Sequence, residues 1–354
     1  MTAIHHIHHI PHSSAHAFCV DVLGRLGVPA EEARVCAETL VEASLRGVDS
    51  HGISLLGTFA ERIHSGQMRP GRRPLVRREG AATALVDGQH GLGPPLARWA
   101  TDLARDKARE TGLGAVALRD ANYVGALAPY VEAPARAGLL AVAAANSTPR
   151  VAPHGGREGL HGTNPIAWAA PAAAGEPLVF DAATGHSAAK VTQAAEEGRP
   201  LAPGIGLDPD GRPTTDPAAA RAGTLLPVGG ALGYGFGLLV DLLTGGLAGG
   251  PCGRQVPPVT ELDGPYGCSF FVLVVDPASF GGGLAEAARS LAADARATAP
   301  AEGAGRVRVP GDRAREMREQ RLAGGIPMGA GRWQALTRRL RASGVDPVPE
   351  VQRD

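Results

Sequence analysis

The sequence predicts an α/β or α+β fold. Short apolar segments with the composition of buried strands alternate along the chain with longer segments whose apolar residues recur at helical spacing. The 354 residues are 44% hydrophobic, which is enough for a sizeable core of two or three packed layers. We therefore expect two lobes: a helix-rich lobe made of residues 16–115 and 280–354, and a central sheet region at residues 116–279.

The N-terminal part of the chain is predicted to be mainly helical. Apolar residues at helical spacing indicate helices over residues 17–26, 30–46 and 55–64. A histidine-rich segment at residues 5–16 precedes them and could hold a metal ion. Because no carboxylate or cysteine completes such a site, we expect residues 1–15 to be a disordered leader.

A strand–helix–strand unit is predicted in the middle of the chain. Residues 115–118 and 140–144 are short apolar runs that flank a helical segment at 126–137, which is typical of a βαβ-like connection. The other predicted elements are strands at 82–86, 178–181 and 270–275, helices at 94–111, 187–197, 284–298, 311–321 and 333–343, a long loop at 146–165, a polar excursion at 204–217, and a glycine-rich loop that leads into a helix at 229–250.

The charge balance argues against nucleic acid and anionic membranes as main partners. Lys+Arg and Asp+Glu are both 35, so the formal net charge is zero and no broad basic face is implied. The apolar runs are too short to span a bilayer, and the N-terminus lacks the pattern of a signal peptide. The cysteines have no paired spacing, and we expect them to be reduced and buried in a cytoplasmic protein. They are Cys19, Cys36, Cys252 and Cys268.

The turn Asp49-Ser50-His51-Gly52 places a histidine directly after a predicted helix. The aspartate and serine side chains can bond local backbone amides, and the glycine lets the chain turn. A histidine on such a turn can face a cleft and move protons near neutral pH. Because a short motif of this kind is more often a surface loop, other parts of the sequence must decide its role.

Five loops rich in glycine, asparagine, serine and threonine indicate a dinucleotide site. Small residues let backbone amides approach phosphate oxygens, and the polar side chains add donors. Each loop alone is more simply a turn, but five of them in one region favour a cofactor. They are residues 146–149, 155–156, 162–165, 181–184 and 229–237. No GxGxxG motif opens a helix, so an ordinary Rossmann domain is not expected.

Eight motifs, in this order, resemble the malate/L-lactate dehydrogenase type 2 family over about residues 16–345. They are RGVDSHG (46–52), NSTPRVAPHGG (146–156), GTNPIAWAAP (162–171), DAATG (181–185), LDPDGRPTTDP (207–217), LLPVGG (225–230), GYGFGLLVDLLTGGLAGG (233–250) and PGDRAREMR (310–318). The resemblance implies a non-Rossmann α/β fold with an unusual NAD(P)-binding domain at 116–279. It also implies a helical substrate and dimerisation lobe, and a homodimer with active sites near the subunit interface.

The chain departs from this family at several polar positions. Relatives have an arginine at Leu55, a tyrosine at Phe59 and a histidine at Tyr123, and Ala231-Leu232 stands where they have His-Lys. An arginine would clamp a substrate carboxylate through two hydrogen bonds, which leucine cannot do. We therefore expect a more apolar substrate pocket, lined by Leu55, Phe59 and Asn122.

The resemblance assigns catalysis to His51, with Ser50 beside it and Tyr123 opposite. His51 is the remaining imidazole suited to carry a proton while hydride moves to or from a nicotinamide. Tyr123 can donate a hydrogen bond, but its ordinary pKa of about 10 makes it a poor base at neutral pH. The alternative for Tyr123 is a packed aromatic ring with its hydroxyl bonded to the backbone.

The cofactor-binding residues implied by the resemblance come from three loops and one helix. They are Asn146, Ser147, Pro149, Gly162, Thr163, Asn164, Asp181 and Lys190. We expect Asp181 and Asn164 to anchor the loops rather than to carry protons. Lys190 is either close to the cofactor or a solvated lysine on a helix.

Taken with the resemblance, the sequence predicts an oxidoreductase that uses NADPH or NADH to reduce a C=N or C=O bond. The small-molecule substrate is expected to be relatively apolar or bulky, of the kind found in specialised metabolism. Two alternatives stay open because so many polar positions differ: a pseudoenzyme that keeps the dimer and the nucleotide site, and a non-redox catalyst such as an isomerase. The sequence leaves the choice between NADH and NADPH open.

Overall fold

The computed structural model describes residues 7–173 and 175–347. Its helices are α1 (His12–Arg25), α2 (Ala30–Leu45), α3 (Leu56–His64), α4 (Gly93–Thr111), α5 (Ala128–Arg136), α6 (Ala188–Glu196), α7 (Pro217–Ala222), α8 (Ala231–Asp241), α9 (Leu284–Ala297), α10 (Asp312–Gly324) and α11 (Ala330–Ala342). Its strands are β1 (Ile7–Ile10), β2 (Leu75–Glu79), β3 (Thr83–Asp87), β4 (Leu113–Ala121), β5 (Leu140–Ala145), β6 (Pro165–Ala170), β7 (Leu178–Ala183), β8 (Gly206–Leu207), β9 (Pro213–Thr214), β10 (Thr224–Leu225), β11 (Cys268–Val275) and β12 (Ile326–Gly329).

A mixed seven-stranded sheet forms the centre, in the order β2-β3-β4-β11-β5-β6-β7. Strand β11 lies antiparallel to both β4 and β5, so these two strands run parallel to each other with β11 between them. The predicted βαβ-like unit therefore has the expected direction, but its two strands are not neighbours. Helices α4 and α5 pack on the sheet through small apolar side chains, of which Ala97, Ala104 and Val131 are fully buried.

A second core lies among the helices near both ends of the chain. It unites side chains from α1, α2 and α3 with Leu336 and Leu340 of α11. Strand β12 pairs antiparallel with β1, with Ile10 opposite Ile326. The N-terminal and C-terminal segments therefore build one helical layer beside the sheet, and the 49–55 turns lie where this layer meets the sheet region.

The prediction of a disordered leader is wrong for residues 7–15. Residues 7–10 form β1 and α1 begins at His12, five residues before the predicted helix start. Ile10 is buried, and the backbone of β1 bonds to β12, a partner more than 300 residues away that local sequence cannot reveal. Residues 1–6 of the predicted leader lie outside the described residues.

Two strands of the seven-stranded sheet were not predicted, one at an edge and one next to the opposite edge. Strand β2 has a mostly exposed LVRRE sequence, and β6 begins with a proline at the end of the long predicted loop. Both lack the apolar alternation of a half-buried strand, which is why neither stood out. The glycine-rich 229–250 segment does become a helix, α8, and continues as a π-helical turn over Leu242–Gly246.

The cysteines agree largely with the sequence prediction. All four are unpaired; Cys19, Cys36 and Cys268 are buried, whereas Cys252 is only partly buried. Over residues 7–173 and 175–347, no helix is both long and apolar enough to cross a bilayer. In those same ranges no group of three or more His, Cys, Asp or Glu side chains is placed to hold a metal ion.

Candidate active site

The histidine turn is a short 3₁₀ segment, Asp49–His51, between α2 and α3. Gly52 packs so closely on α2 that a Cβ atom there would lie 2.0 Å from Ser44 Oγ. The same hydroxyl accepts a hydrogen bond of 3.0 Å from the Ile53 amide, and Arg321 of α10 forms an ion pair with Asp49. The glycine is thus required by close approach, and the turn is fixed to both α2 and α10.

His51 is half-buried on this turn, and its imidazole faces Tyr123. The two ring centroids are 6.3 Å apart. Ser50 Oγ lies 3.0 Å from His51 Nδ1, and a serine hydroxyl can donate to or accept from that nitrogen, so it orients the ring in either tautomer. Burial lowers the pKa of His51 below its ordinary value, so the ring is mainly neutral at neutral pH.

Tyr123 follows β4 and is held in place through its backbone. Asn122 Oδ1 accepts a 2.9 Å hydrogen bond from the Tyr123 amide. Gly93, the first residue of α4, packs against the same segment, and a Cβ there would lie 2.1 Å from the Tyr123 carbonyl oxygen. Burial raises the pKa of the Tyr123 hydroxyl, while Arg62 and Arg150 act in the opposite direction.

A fully buried arginine stands behind Tyr123. Arg62 Nη1 donates to Asn122 Oδ1 at 2.9 Å, and Nη2 donates to the Val259 carbonyl at 3.2 Å. Its guanidinium carbon lies 3.9 Å from the centroid of the Tyr266 ring and 5.8 Å from that of Tyr123. The two tyrosine rings are stacked, with centroids 6.3 Å apart. Histidine, tyrosine and arginine therefore form one continuous cluster.

Sequence reasoning missed Arg62 and Tyr266. A signal for Arg62 was present: it follows Leu56 and Phe59 at intervals of three on α3, and both of those residues are fully buried. A charged residue on the inner stripe of an amphipathic helix needs buried partners. Tyr266 lies in a loop without periodicity, and only the fold brings it to the cluster.

The three residues predicted to line the substrate pocket differ in how deeply they are buried and in what they contact. Leu55 is half-buried and packs against the helical core. The expected pocket position of Phe59 is corrected by the structure. Phe59 lies on the inner face of α3 and is fully buried within that core, so its ring has a packing role. Asn122 is also fully buried, and its amide group supports Arg62 and Tyr123 from behind.

The structure brings the 146–149 and 162–165 loops together. Asn164 Oδ1 accepts a hydrogen bond from the Ser147 amide at 3.2 Å, and Nδ2 donates to the Gly237 carbonyl of α8 at 2.9 Å. Asn164 is fully buried with a positive φ of 35°. Gly162 lies against the other loop, where a Cβ would be 2.1 Å from Ser147 Oγ. The expected anchoring role of Asn164 agrees with these contacts.

Asn146 also has a supporting position. Its Oδ1 accepts from the Ser269 amide at 2.9 Å, and its Nδ2 donates to the Pro251 carbonyl at 2.8 Å. Ser147, Pro149 and Thr163 are half-buried, as is Pro165, so a bound molecule can reach these parts of the two loops.

Within residues 7–173 and 175–347, the side chains of Asp181 and Lys190 form no hydrogen bond with this pair of loops. Asp181 Oδ2 accepts hydrogen bonds of 2.8 Å from the amides of Leu127 and Ala128, so the carboxylate caps the start of α5. Asp181 therefore has a structural role rather than a proton-carrying one, but its carboxylate holds α5 and not the cofactor loops that we expected it to anchor. Lys190 is exposed on α6, which is the position of a solvated lysine.

The residues near the start of α8 fit a dinucleotide. Gly229 and Gly230 have φ values of 66° and 63°, a left-handed backbone that few other residues adopt. They lead directly into the N-terminus of α8, whose first turn carries no acidic residue. Backbone amides in such a turn and at a helix N-terminus favour the negative charge of a diphosphate. Since Asn164 bonds to α8, this turn adjoins the paired loops.

The cofactor loops also connect to the catalytic cluster. Thr148 Oγ1 lies 3.4 Å from the Tyr266 hydroxyl and donates to the Pro257 carbonyl at 2.9 Å. Contacts therefore run without a break from His51 through Tyr123 and Tyr266 to the loops that could hold a cofactor. This arrangement suits a reaction in which a proton carrier works next to a bound nicotinamide.

Comparison with known proteins agrees with this geometry. The family model described as malate/L-lactate dehydrogenase matches residues 10–337. The chain is 38% identical over 309 residues to (2R)-3-sulfolactate dehydrogenase (NADP(+)) of Chromohalobacter salexigens, covering 87% of this chain and 91% of that protein. It is 38% identical over 323 residues to Delta(1)-pyrroline-2-carboxylate/Delta(1)-piperideine-2-carboxylate reductase of Pseudomonas syringae pv. tomato, covering 87% and 90%.

A solved structure shows the same fold. The dehydrogenase from Sinorhizobium meliloti superposes with a TM-score of 0.88 at 37% identity, and the match covers 95% of this chain and 99% of that one. The predictions of family, α/β fold and NAD(P)H dependence are confirmed, and the protein is an oxidoreductase that acts on C=O or C=N bonds. By its motifs, its site and its fold, the chain belongs to the malate/L-lactate dehydrogenase family.

Proposed function

We propose that this enzyme reduces the C=O or C=N bond of a substrate more apolar than a small 2-oxo acid. The observation that carries the proposal concerns two side chains of the 55–62 segment, Leu55 and Arg62. Leu55 stands half-buried where relatives have an arginine, and Arg62 is fully buried with both Nη atoms already bonded. Neither side chain offers a free guanidinium for a substrate carboxylate.

When bound, the reduced nicotinamide supplies the hydride. The chain's own residues handle the proton and the position of the substrate. In our proposal His51 provides the proton for the oxygen or nitrogen that accepts the electron pair, and Ser50 keeps its ring oriented. Tyr123 donates a hydrogen bond to the same heteroatom and holds it between the two rings. Ser147, Pro149 and Thr163 contact the cofactor, and the buried asparagines keep their loops in place.

The similar proteins support both kinds of bond. One relative is named for a sulfolactate, whose oxidation concerns a carbon–oxygen bond. Another is named for two cyclic imines, whose reduction concerns a C=N bond. Because hydride addition to carbon and proton addition to oxygen or nitrogen are common to both, the His51–Tyr123 pair can serve either.

The proposed substrate class can be tested by a panel assay. Nicotinamide fluorescence titrations first give the affinities for NADH and NADPH, and turnover is then compared between pyruvate or malate and apolar ketones and cyclic imines. We expect the apolar compounds to have a kcat/KM at least about tenfold higher, the value of one missing charged clamp. Leu55→Arg should raise kcat/KM for pyruvate relative to the apolar compounds.

Two outcomes of the panel would contradict the proposal. Rapid turnover of pyruvate or malate by the wild-type protein would mean that another cation binds the carboxylate, and Arg150 and Arg157 would be examined first. Cofactor binding without turnover of any compound would favour a catalytically altered protein that keeps the nucleotide site.

We further propose that the enzyme is a homodimer joined through α8, which belongs to the 116–279 region and not to the helical lobe that the resemblance implied. A row of large apolar side chains at helical spacing is exposed along α8, the π-helical turn after it and the residue that follows this turn. These are Leu232 at 67%, Phe236 at 44%, Leu239 at 41%, Leu242 at 64% and Leu247 at 59% exposure. Such a row is typical of a surface that another protein covers, and a second copy of the chain is the occupant we propose. The interface would then adjoin the cofactor loops, because Asn164 bonds to α8.

Introducing negative charge into this apolar face tests the dimer. Leu232→Glu combined with Phe236→Glu should shift the mass measured by light scattering from two chains to one, because two carboxylates per copy would be desolvated in the interface. Leu291→Glu is the matched control, since Leu291 is equally exposed at 68% but lies on α9. A wild-type protein with the mass of one chain would overturn the proposal.

We also place the enzyme in the cytoplasm, where its unpaired cysteines would stay reduced.

A further inference from the structure

The 251–267 loop, between the end of the α8 segment and β11, is held to the rest of the molecule mainly through its backbone carbonyls. Asn146, Thr148 and Arg62 donate to the carbonyls of Pro251, Pro257 and Val259 respectively. Gln67 Nε2 donates to two more, Glu261 at 2.9 Å and Gly264 at 2.8 Å. Tyr266 lies near the C-terminal end of the loop, and its ring stacks on that of Tyr123.

Arg62 is the one of these four donors that contacts the surroundings of Tyr123 from two sides. Through Nη1 it bonds the Asn122 oxygen that also accepts from the Tyr123 amide. Through its flat face it covers the Tyr266 ring at 3.9 Å, and Tyr266 in turn covers Tyr123. Its Nε is buried without a hydrogen-bond partner among the described residues, so hydrogen bonds satisfy the guanidinium only in part and the two tyrosine rings are its other contacts.

We propose that Arg62 is a positioning residue for the reaction, which acts through Asn122 and Tyr266 to hold the Tyr123 hydroxyl against the substrate. The proposal rests on the proposed function, in which Tyr123 donates a hydrogen bond to the reacting heteroatom. Arg62 itself does not touch substrate, because it is fully buried. Arg62 lies on α3, which begins one residue after Leu55, and its guanidinium contacts Asn122 and the tyrosine rings.

The positive charge of Arg62 also keeps Tyr123 a good hydrogen-bond donor. A cation near a phenol stabilises its ionised form and lowers its pKa, which strengthens the hydroxyl as a donor. The other titratable or charged groups that face Tyr123 are His51, Tyr266, Cys268 and Arg150. Burial opposes the effect of Arg62, and the pKa of Tyr123 remains above its ordinary value.

Arg62→Met tests this role, because methionine fills similar space without charge or donors. We expect kcat to fall roughly 10- to 100-fold with KM changed less than about threefold, the size of effect caused by small misplacement of a catalytic group. Without the cation the pKa of Tyr123 should rise, which titration of the Tyr123 ring measures directly. Adding Arg62→Met to Tyr123→Phe should cost little more, because the tyrosine hydroxyl through which Arg62 acts is already absent.

Gln67→Met is the matched control. It removes two carbonyl contacts to the 251–267 loop but leaves Arg62 and the Asn122 contact to the Gln67 backbone oxygen in place. If Arg62 served only to fasten the loop, Gln67→Met would reproduce its loss of kcat. We expect instead a loss of kcat of less than about threefold.

A second readout does not depend on activity. The protein has four tyrosines, and ¹³C labelling of the ring carbon that bears the hydroxyl gives one NMR signal for each, with Tyr123→Phe identifying its own. Arg62→Met should shift the Tyr123 signal and delay its titration, whereas Gln67→Met should not. This distinction holds even if no compound of the substrate panel is turned over, so failure of the proposed function would be recognised separately.

The NMR signals and the losses of kcat together decide whether Arg62 positions Tyr123. A shifted Tyr123 signal in Arg62→Met, with Gln67→Met like the wild type, supports the inference. An unshifted signal, or equal losses in both variants, overturns it. If Arg62→Met does not fold, Arg62→Lys carries the test: it keeps the charge but loses the two-pronged geometry, so a several-fold lower kcat and a shifted Tyr123 signal are expected, and wild-type behaviour in both measurements would overturn the proposal.

Discussion

Replacement of His51 by alanine is expected to lower turnover by roughly 10²–10⁴-fold, the usual contribution of a general acid or base. His51 is held by the Ser50 contact and faces Tyr123, so its loss removes the proposed proton carrier without disturbing the buried loops that support the cofactor site. Stopped-flow or steady-state rates give the change in turnover. Fluorescence titration should give nearly unchanged NAD(P)H affinity.

The pH dependence should change together with the rate. Burial lowers the pKa of His51, so the imidazolium is scarce at neutral pH. If the imidazolium gives the proton, reduction should be faster near about pH 6 than near pH 8, and the reverse oxidation should be faster at the higher pH. Both trends should disappear in His51→Ala.

Tyr123→Phe and Ser50→Ala are the controls for His51. Each should cost less than His51→Ala, because the hydroxyls orient the substrate and the imidazole rather than transfer the proton. The opposite ranking would make Tyr123 the proton donor and leave His51 as a hydrogen-bond partner. If none of the three variants alters an established reaction, the chemistry takes place elsewhere.

Replacement of Asn164 by alanine is expected to weaken NAD(P)H binding by about tenfold or more and to lower stability by about 2–4 kcal/mol. The variant leaves the Ser147 amide and the Gly237 carbonyl without their partner, and it forces alanine into a positive φ of 35°. Both the 146–149 loop and α8 should therefore loosen. Fluorescence titration and thermal unfolding measure the two effects.

Asn164→Asp separates the two causes. Aspartate tolerates the same backbone conformation and keeps an acceptor for Ser147, but it cannot donate to the Gly237 carbonyl. We expect an intermediate loss of affinity and of stability. A folded Asn164→Ala protein with wild-type affinity would show that the cofactor binds away from these loops.

The helices and the inner strands were largely predictable because each has its own periodicity. The predicted helix at 30–46 ends one residue from its observed limit, and the strand at 140–144 extends by one residue. What local pattern could not supply was the position of elements whose partners are distant in sequence. Strand β1 needs β12, and β11 was found as a strand without any sign that it lies between β4 and β5.

The candidate site was predictable to the extent that its residues sit in recognisable motifs. His51 and the two loops around Asn146 and Asn164 follow that rule, and the structure brings the loops together as expected. Arg62 and Tyr266 carry no local motif, and they join the cluster only because α3 and the 251–267 loop meet there. Phe59 was placed in the pocket by its motif, but the turn of α3 directs it into the core.

The position of β11 has a consequence for how the chain acquires its structure during synthesis. Strand β11, in the middle of the sheet, is synthesised after residue 267. The facing edges of β4 and β5 therefore stay unpaired while more than 120 further residues are added to the chain. Folding of the sheet is therefore dominated by long-range pairing and should be slow. A nascent chain that stops before β11 would expose two apolar strand edges, and such fragments should be held by chaperones or aggregate rather than fold.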